Sequence, residues 1–304
     1  VSTAPINRQP VPQGLTIYPP GIDNRKSLYV SDLDGTLLDG SGKLSDFSRE
    51  NLTRLLEDGL NFTIASARAI NEIQPVLGDL PIRLPVIAIN GAYLSDYKTG
   101  KHLIINSMEK SAAHAIFDII RKHNLWPFVC TFNGSEDCLY YQSLPHPAMH
   151  WYCRALTELG DIRLRETQNL AGTLKETVIS LAVMGDKEPV GEIAEILAKE
   201  FPGQLENFYF ENPYSPGYWW LTIHDKKACK SIAIRELMEM TGFAREHLTV
   251  FGDHINDIRM MEQAGTAVAV ANAEEEVKNT ADLIIGPNDQ DSVVRYIMDH
   301  FQKS

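Results

Sequence analysis

Short apolar runs alternate with amphipathic stretches along most of this chain. Leu28 to Val30, Leu60 to Ile64, Val86 to Asn90 and Leu248 to Phe251 have strand length and apolar character. Between the first two, Ser45 to Asp58 has helical spacing, opened by Ser45 and closed by Gly59. Tyr93 to Ile105 reads as a hairpin turning at Lys98-Thr99-Gly100. Near Ser107 the pattern changes. A helix over Met108 to Lys122 leads into strands near Trp126–Phe132 and Leu139–Gln142, then a helix over Ala148 to Leu159. A strand at Thr177–Met184, a helix at Pro189–Lys199 and a strand at Leu205–Phe210 follow. This is a separate α/β unit of about 100 residues, an ordinary domain size. It returns through Asn212-Pro213-Tyr214-Ser215-Pro216-Gly217, a loop rich in breakers. The expectation is an α/β core over residues 27–107 and 216–304, with an α/β insertion over 108–215. Residues 1–26 hold Pro5, Pro10, Pro12, Pro19 and Pro20 and read as an extended arm without chemistry of its own.

The polar residues that end these runs carry the candidate chemistry. Asp32 and Asp34 follow the first strand. They would share one side if the strand continued, but Gly35 points to a turn that leaves them at the strand's carboxyl end. Ligands of open α/β sheets sit at that edge. Two acids so close repel unless a cation or a shared proton relieves them. A calcium loop counted from Asp32 would need glycine and glutamate where Leu37 and Lys43 stand, so that reading fails. A turn with two solvated acids stays open. Far downstream, Gly252-Asp253-His254-Ile255-Asn256-Asp257 ends another strand and opens a helix pattern through Ile258, Met261 and Ala264. Asp253 and Asp257 could face the same crevice as Asp32, making a hard oxygen site suited to Mg²⁺. Asp257 is equally well explained as an acid favoured at a helix N-terminus. Ser66 and Arg68 end the second strand, where a hydroxyl and backbone amides can hold an anion's oxygens; an ordinary helix cap with a surface arginine fits as well. Lys230 opens a helix, against the helix dipole, which suggests a nearby anion. Lys226 and Lys227 lie close by, so spacing leaves the choice open, and a solvated charge run is the alternative.

Taken in order, Asp-x-Asp-Gly-Thr, Ser-x-Arg, Lys and Gly-Asp-x-x-Asn-Asp resemble the haloacid dehalogenase superfamily of phosphotransferases. The chain looks most like the Cof-type phosphatases, the type IIB branch with a large α/β cap. Ile89-Asn90-Gly91-Ala92 resembles the family's Asn-Gly segment. Val268-Ala269-Val270-Ala271-Asn272-Ala273, with Ala281-Asp282, resembles its C-terminal signature. The chain departs from the pattern at Ser66-Ala67 (for Thr-Gly), Ser231, His254 and Ser292. The resemblance covers roughly residues 27–300. It implies a Rossmann-like parallel-sheet core with helices on both faces and an inserted cap domain that chooses the substrate. The reaction it implies is phosphomonoester hydrolysis through an aspartyl-phosphate on Asp32, with Asp34 as acid and then base. It further implies Mg²⁺ held by Asp32, the backbone carbonyl of Asp34, Asp253 and Asp257, and phosphate binding by Ser66, Arg68, Lys230 and Asn256. The Asp34 role needs a raised pKa, which crowding by Asp32 could supply. Sugar phosphates are the default substrates of such a family. The alternatives are a phosphomutase resembling phosphomannomutases, a specialised sugar-phosphate phosphatase, or a silent binding protein of the same fold.

Bulk properties narrow this further. The 304 residues are 44% hydrophobic and 22% charged, a globular composition long enough for a large core. A net charge of −12 argues against a nucleic-acid or anionic-membrane surface. It does not oppose a small phosphate substrate, because a bound cation and a few local charges dominate at short range. No apolar run has transmembrane length. The four cysteines, Cys130, Cys138, Cys153 and Cys229, show no zinc or CxxC spacing, and a cytoplasmic setting is expected. A monomer or homodimer is expected, and a start at Val1 leaves a removed leader open. The cap's aromatics and histidines, His146, His150, Trp151, Tyr152, Tyr214, Tyr218, Trp219 and Trp220, read mainly as packing, with one or two at the pocket.

Overall fold

The computed structural model describes residues 23, 27–212 and 215–301. The proline-rich arm expected over 1–26 lies, Asp23 and the arm's neighbour Ser27 apart, outside the described residues, as do Pro213 and Tyr214. Strand β1 (Leu28–Ser31) and β2 (Asn61–Ile64) pair in parallel. Strands β3 (Val86–Ala88), β4 (Tyr93–Ser95) and β5 (His102–Ile105) form a three-stranded antiparallel sheet. A parallel bridge from Ala65 to Ile87 ties it to the end of β2. The chain then builds β6 (Phe128–Phe132), β7 (Asp137–Tyr141), β8 (Leu164–Glu166), β9 (Thr177–Gly185), β10 (Leu205–Glu211) and β11 (Trp219–Asp225). These six form one sheet in the order β10-β11-β9-β6-β7-β8. Finally β12 (Leu248–Gly252), β13 (Thr266–Ala269) and β14 (Leu283–Ile284) complete the central sheet, β14-β13-β12-β1-β2, parallel throughout.

The central topology follows from crossover handedness. From the middle of the sheet, β1 to β2 steps one way and β12 to β13 to β14 steps the other. Right-handed crossovers then put their helices on opposite faces. The helix Asp46–Glu57 packs with Ser292–His300, while Lys230–Thr241, Ile258–Met261 and Glu275–Thr280 pack in series. Buried on both sides, β1 and β12 are apolar along their length: Leu28, Val30, Leu248, Val250 and Phe251 are inaccessible to solvent.

Two local outcomes differ from the sequence reading. Trp219–Asp225 was expected in the core part that begins at 216, but β11 pairs along its length with β10 and β9 in the six-stranded sheet. A short connection favours an antiparallel neighbour, so the breaker-rich loop turns a hairpin and the chain leaves this sheet only after Asp225. The short strand β8 went unread, being only three residues of edge.

Buried polar groups lock the six-stranded unit to the core. Arg163, just before β8, bonds Asp161 at 2.5 Å and Glu72 of the helix Ile70–Leu77 at 3.3 Å. Burial alone would raise the Asp161 carboxyl, but Arg163 holds it below its ordinary range. At the same junction, Tyr93 donates to Asp137 at 2.7 Å and His102 meets the same carboxylate at 3.1 Å. The rings of Tyr93 and His102 stack with centroids 3.7 Å apart.

Replacing Arg163 by methionine strands an Asp161 side chain that is 1% exposed. We expect a loss of about 3–5 kcal/mol in urea unfolding, as for other broken buried pairs; a loss under about 1 kcal/mol would refute the junction's importance. His224 gives a second expectation. Its burial lowers its pKa to about 4, so the fold keeps it neutral while the unfolded chain protonates near pH 6.5. Its contribution is intact above about pH 6.5 and declines as pH falls toward about 4, by roughly 3 kcal/mol in all. His224→Phe should flatten that part of the stability–pH curve, and an unchanged slope would show that other groups set it.

Candidate active site

The carboxyl ends of β1 and β12 lie side by side, and the site grows from them. The N–H of Asp32 donates to Phe251 O at 2.9 Å, extending the ladder by one residue. The chain then turns through Leu33–Leu37, with Gly35 at φ +76°. That glycine is required twice over. Its φ is unfavourable for other residues, and a Cβ there would run into the Asp253 carboxylate. The next residue, Thr36, donates its hydroxyl to Asp253 Oδ1 at 2.7 Å. At the end of β12, a Cβ on Gly252 would lie 2.6 Å from that of Asp257. Asp257 Oδ2 accepts the N–H groups of Asp253 and His254 at 3.1 and 3.2 Å. Asp257 is therefore a buried strut of this loop as well as a member of the site.

Asp32, Asp253 and Asp257 each offer an oxygen, all within 4.8 Å of one another. The ammonium of Lys230 sits between two of them, 2.5 Å from Asp32 Oδ1 and 2.7 Å from Asp257 Oδ1. Of the three candidate lysines it is this one, the first residue of the helix Lys230–Thr241, that turns into the site. Lys226 is exposed and Lys227 half-buried. Burial raises the Asp32 pKa well above the carboxylate range, helped by Asp257 and Asp253 and opposed by Lys230. Burial also pushes Asp253 up to about 6, with Asp257 adding to the shift against the Thr36 hydrogen bond. Lys230 runs the other way. Burial disfavours its charge, yet Asp257 and Asp32 outweigh that and raise its pKa. We take Lys230 as charged, since two carboxylates touch it. Three carboxylates against one ammonium still leave negative charge in excess. That set of hard oxygens fits a divalent cation such as Mg²⁺.

The remaining predicted residues fall into two groups. Ser66 is buried at the end of β2, and its Oγ accepts the Arg68 N–H at 3.1 Å. Asn256 lies in the loop before Asp257; its Nδ2 reaches Asn90 Oδ1 at 3.4 Å, and its own Oδ1 is buried without a partner. Asp34 and Arg68 behave differently from expectation. The turn carries the Asp34 side chain out of the three-carboxylate cluster, and it is 45% exposed. Arg68 grips it with two bonds, Nε to Oδ2 at 2.8 Å and Nη2 to Oδ1 at 2.5 Å. Arg68, expected on phosphate, therefore holds Asp34. Asp34, expected to be crowded by Asp32, has Arg68 for its partner. The cause is the turn that starts at Leu33, between the two acids: the strand ends at Ser31, so its period-two geometry does not reach Asp34. His254 is exposed and meets Glu274 at 3.1 Å.

Three supporting residues had no role in the sequence reading. Thr36 orients Asp253. Asn90, at φ +53°, receives Asn256 and ties its N–H to Ser66 O at 2.9 Å. Asn272 donates to Gly35 O at 2.7 Å and so braces the turn after Asp32. Asn90 and Asn272 stand within noticed motifs, but only long-range contacts reveal what they do.

Gly35→Ala should disrupt this loop, because the new methyl and the Asp253 carboxylate claim one space. We expect at least a tenfold loss of turnover, or about 1.4 kcal/mol, with circular dichroism unchanged. Wild-type turnover in this variant would show that the loop relaxes freely.

A family model described as haloacid dehalogenase-like hydrolase matches residues 29–297. Among curated proteins, the chain is 29% identical over 283 residues to the pyridoxal phosphate phosphatase YbhA of Escherichia coli, covering 88% of this chain and 96% of that one. It is 24% identical over 285 residues to 5-amino-6-(5-phospho-D-ribitylamino)uracil phosphatase YitU of Bacillus subtilis, covering 92% and 99%. Among solved structures, a haloacid dehalogenase-like hydrolase from Bacteroides thetaiotaomicron superposes with a TM-score of 0.75 at 25% identity, covering 91% of this chain and 100% of that one.

Proposed function

The chain belongs to the haloacid dehalogenase-like hydrolases, and from that membership we propose a Mg²⁺-dependent phosphomonoester hydrolase that works through an aspartyl-phosphate. The observation that carries the reading is the Lys230 ammonium shared by Asp32 and Asp257 inside a three-carboxylate cluster. Asp32 is the nucleophile: its Oδ bonds phosphorus as the bond from phosphorus to the leaving oxygen breaks. Asp34, once released from Arg68 and protonated from solvent, gives that oxygen its proton. It then takes one from the water that attacks the aspartyl-phosphate, which releases inorganic phosphate and restores both groups. Arg68 keeps Asp34 at the edge of the site until a leaving group arrives. Lys230, the Ser66 hydroxyl and the Asn256 amide hold the phosphoryl oxygens. Asp32, Asp253, Asp257 and the Asp34 carbonyl would hold the Mg²⁺. When bound it neutralises charge, so that one anion can attack another.

Small phosphorylated metabolites are the substrates. Sugar phosphates are the class that the Cof-type resemblance implies. A second class is favoured by the names of the E. coli and B. subtilis relatives, whose substrates carry a heteroaromatic ring. A cytoplasmic setting belongs to the same proposal, supported by four cysteines that are all free thiols; no described helix is long and apolar enough to cross a membrane.

Phosphate release from an aryl phosphate, with Mg²⁺ or with EDTA, tests the reading. Wild type should be active with Mg²⁺ only, and Asp32→Asn should be inactive. Lys230→Ala should lose on the order of 100-fold or more. Phosphate transfer that depends on a sugar bisphosphate, with no free phosphate, would identify a mutase instead. Ligand binding without turnover in any assay would identify a silent binder.

A further inference from the structure

The six-stranded sheet has two faces with different neighbours. On one, Leu205, Tyr209, Trp219, Leu221 and Ile223 pack with the cluster that includes the helices Lys110–Lys122 and Lys187–Glu200. Strand side chains alternate, so the opposite face carries Glu206, Phe208 and Phe210 of β10 against His224, Thr222 and Trp220 of β11. This face is joined to the catalytic end of the core. Glu206 pairs with Arg259 at 2.8 Å, two residues beyond Asp257. Arg259 also reaches the Sγ of Cys229, the residue before Lys230, at 3.8 Å. The helix Pro147–Glu158 covers the Trp220 end of the face through Trp151 and Tyr152.

His224 lies in the same cross-strand row as Glu206 and is 3% exposed, and its Nδ1 has no hydrogen-bond partner. A buried polar atom left in that state is costly, and a bound ligand can supply the missing bond. The imidazole meets the ring of Phe208 edge-on, with centroids 6.1 Å apart. Phe210, at the Trp220 end of this face, is 40% exposed, and Ile255, in the loop between Asp253 and Asp257, is 49% exposed.

We propose that Phe208 and His224 form the leaving-group subsite and select a planar, aromatic or heteroaromatic leaving group over a sugar. This rests on the hydrolase reading above. Recognition of a sugar needs polar partners for several hydroxyls, since each one buried without a partner weakens binding. Here aromatic side chains predominate, Phe208 half-buried and Trp220 buried, with Thr222 and His224 as polar points beside a Glu206 already held by Arg259. A neutral imidazole has one N–H and one lone pair, so it can meet either a ring hydroxyl or a ring nitrogen.

Steady-state kinetics with Mg²⁺ on pyridoxal phosphate, glucose-6-phosphate and acetyl phosphate decide the matter. Wild type should favour pyridoxal phosphate over the glucose ester by about 10-fold or more in kcat/KM. Phe208→Ala and the more conservative Phe208→Leu should each lower the pyridoxal-to-acetyl phosphate ratio by about 5–10-fold, chiefly through KM. His224→Phe should lower it too, and His224→Gln should restore part of the loss. Equal or better hydrolysis of the glucose ester by wild type would overturn the proposal and leave the hydrolase reading standing. So would Phe208 variants that slow all three substrates by one factor. Failure of wild type to release phosphate from any of the three would overturn both.

Discussion

One buried ammonium governs the arrangement of this protein's site. Lys230 lies between Asp32 and Asp257, and its contacts join three distant parts of the chain: the end of β1, the loop after β12, and the start of a helix. Burying a single carboxylate is expensive, and burying Asp32 and Asp257 beside a half-buried Asp253 is more so. The lysine offsets part of that repulsion, and the turn geometry makes the rest tolerable. Thr36 holds Asp253, while the N–H groups of Asp253 and His254 hold Asp257. Glycines at 35 and 252 leave room for those carboxylates. Asn272, from the far end of the chain, braces the first turn. The site is thus built on strand ends and short turns rather than long loops, which suits chemistry that depends on fixed charge positions.

The six-stranded unit is tied to this site by polar groups of a different kind. Arg163 joins Asp161 to Glu72, and Asp137 joins Tyr93 to His102. Both connections are largely buried, so they act as directional pins whose loss leaves a stranded charge. They position a sheet face rich in aromatic residues relative to the catalytic strand ends. In the proposed function, reaction and selectivity rest on separate parts of the molecule, so that variation in the cap would change the substrate while the acid cluster stays the same.

Much of this was readable in advance. Alternating apolar runs and helical stretches determined the α/β class, because burial on both faces demands continuous apolar strands. The helix Asp46–Glu57 starts and stops where Ser45 and Gly59 place its ends, since caps act locally. The acids at strand ends were visible for the same reason: a strand, a turn and a carboxylate are contiguous in sequence. Residue spacing alone did not settle what contacts across the chain settle. It could not choose Lys230 over Lys226 and Lys227, because the three stand close together in sequence and only packing decides which ammonium faces Asp32. It could not foresee that Arg68 would grip Asp34, because that bond spans 34 residues. It began the second core part at residue 216, before β11, because strand pairing depends on partners elsewhere in the chain. Nor could it find the unpartnered nitrogen of His224, whose meaning depends on burial. The sequence by itself determined the local elements and the types of chemical group at their ends. The tertiary structure decided which of those groups meet, because long-range charge pairing and desolvation exist only once distant segments are packed together.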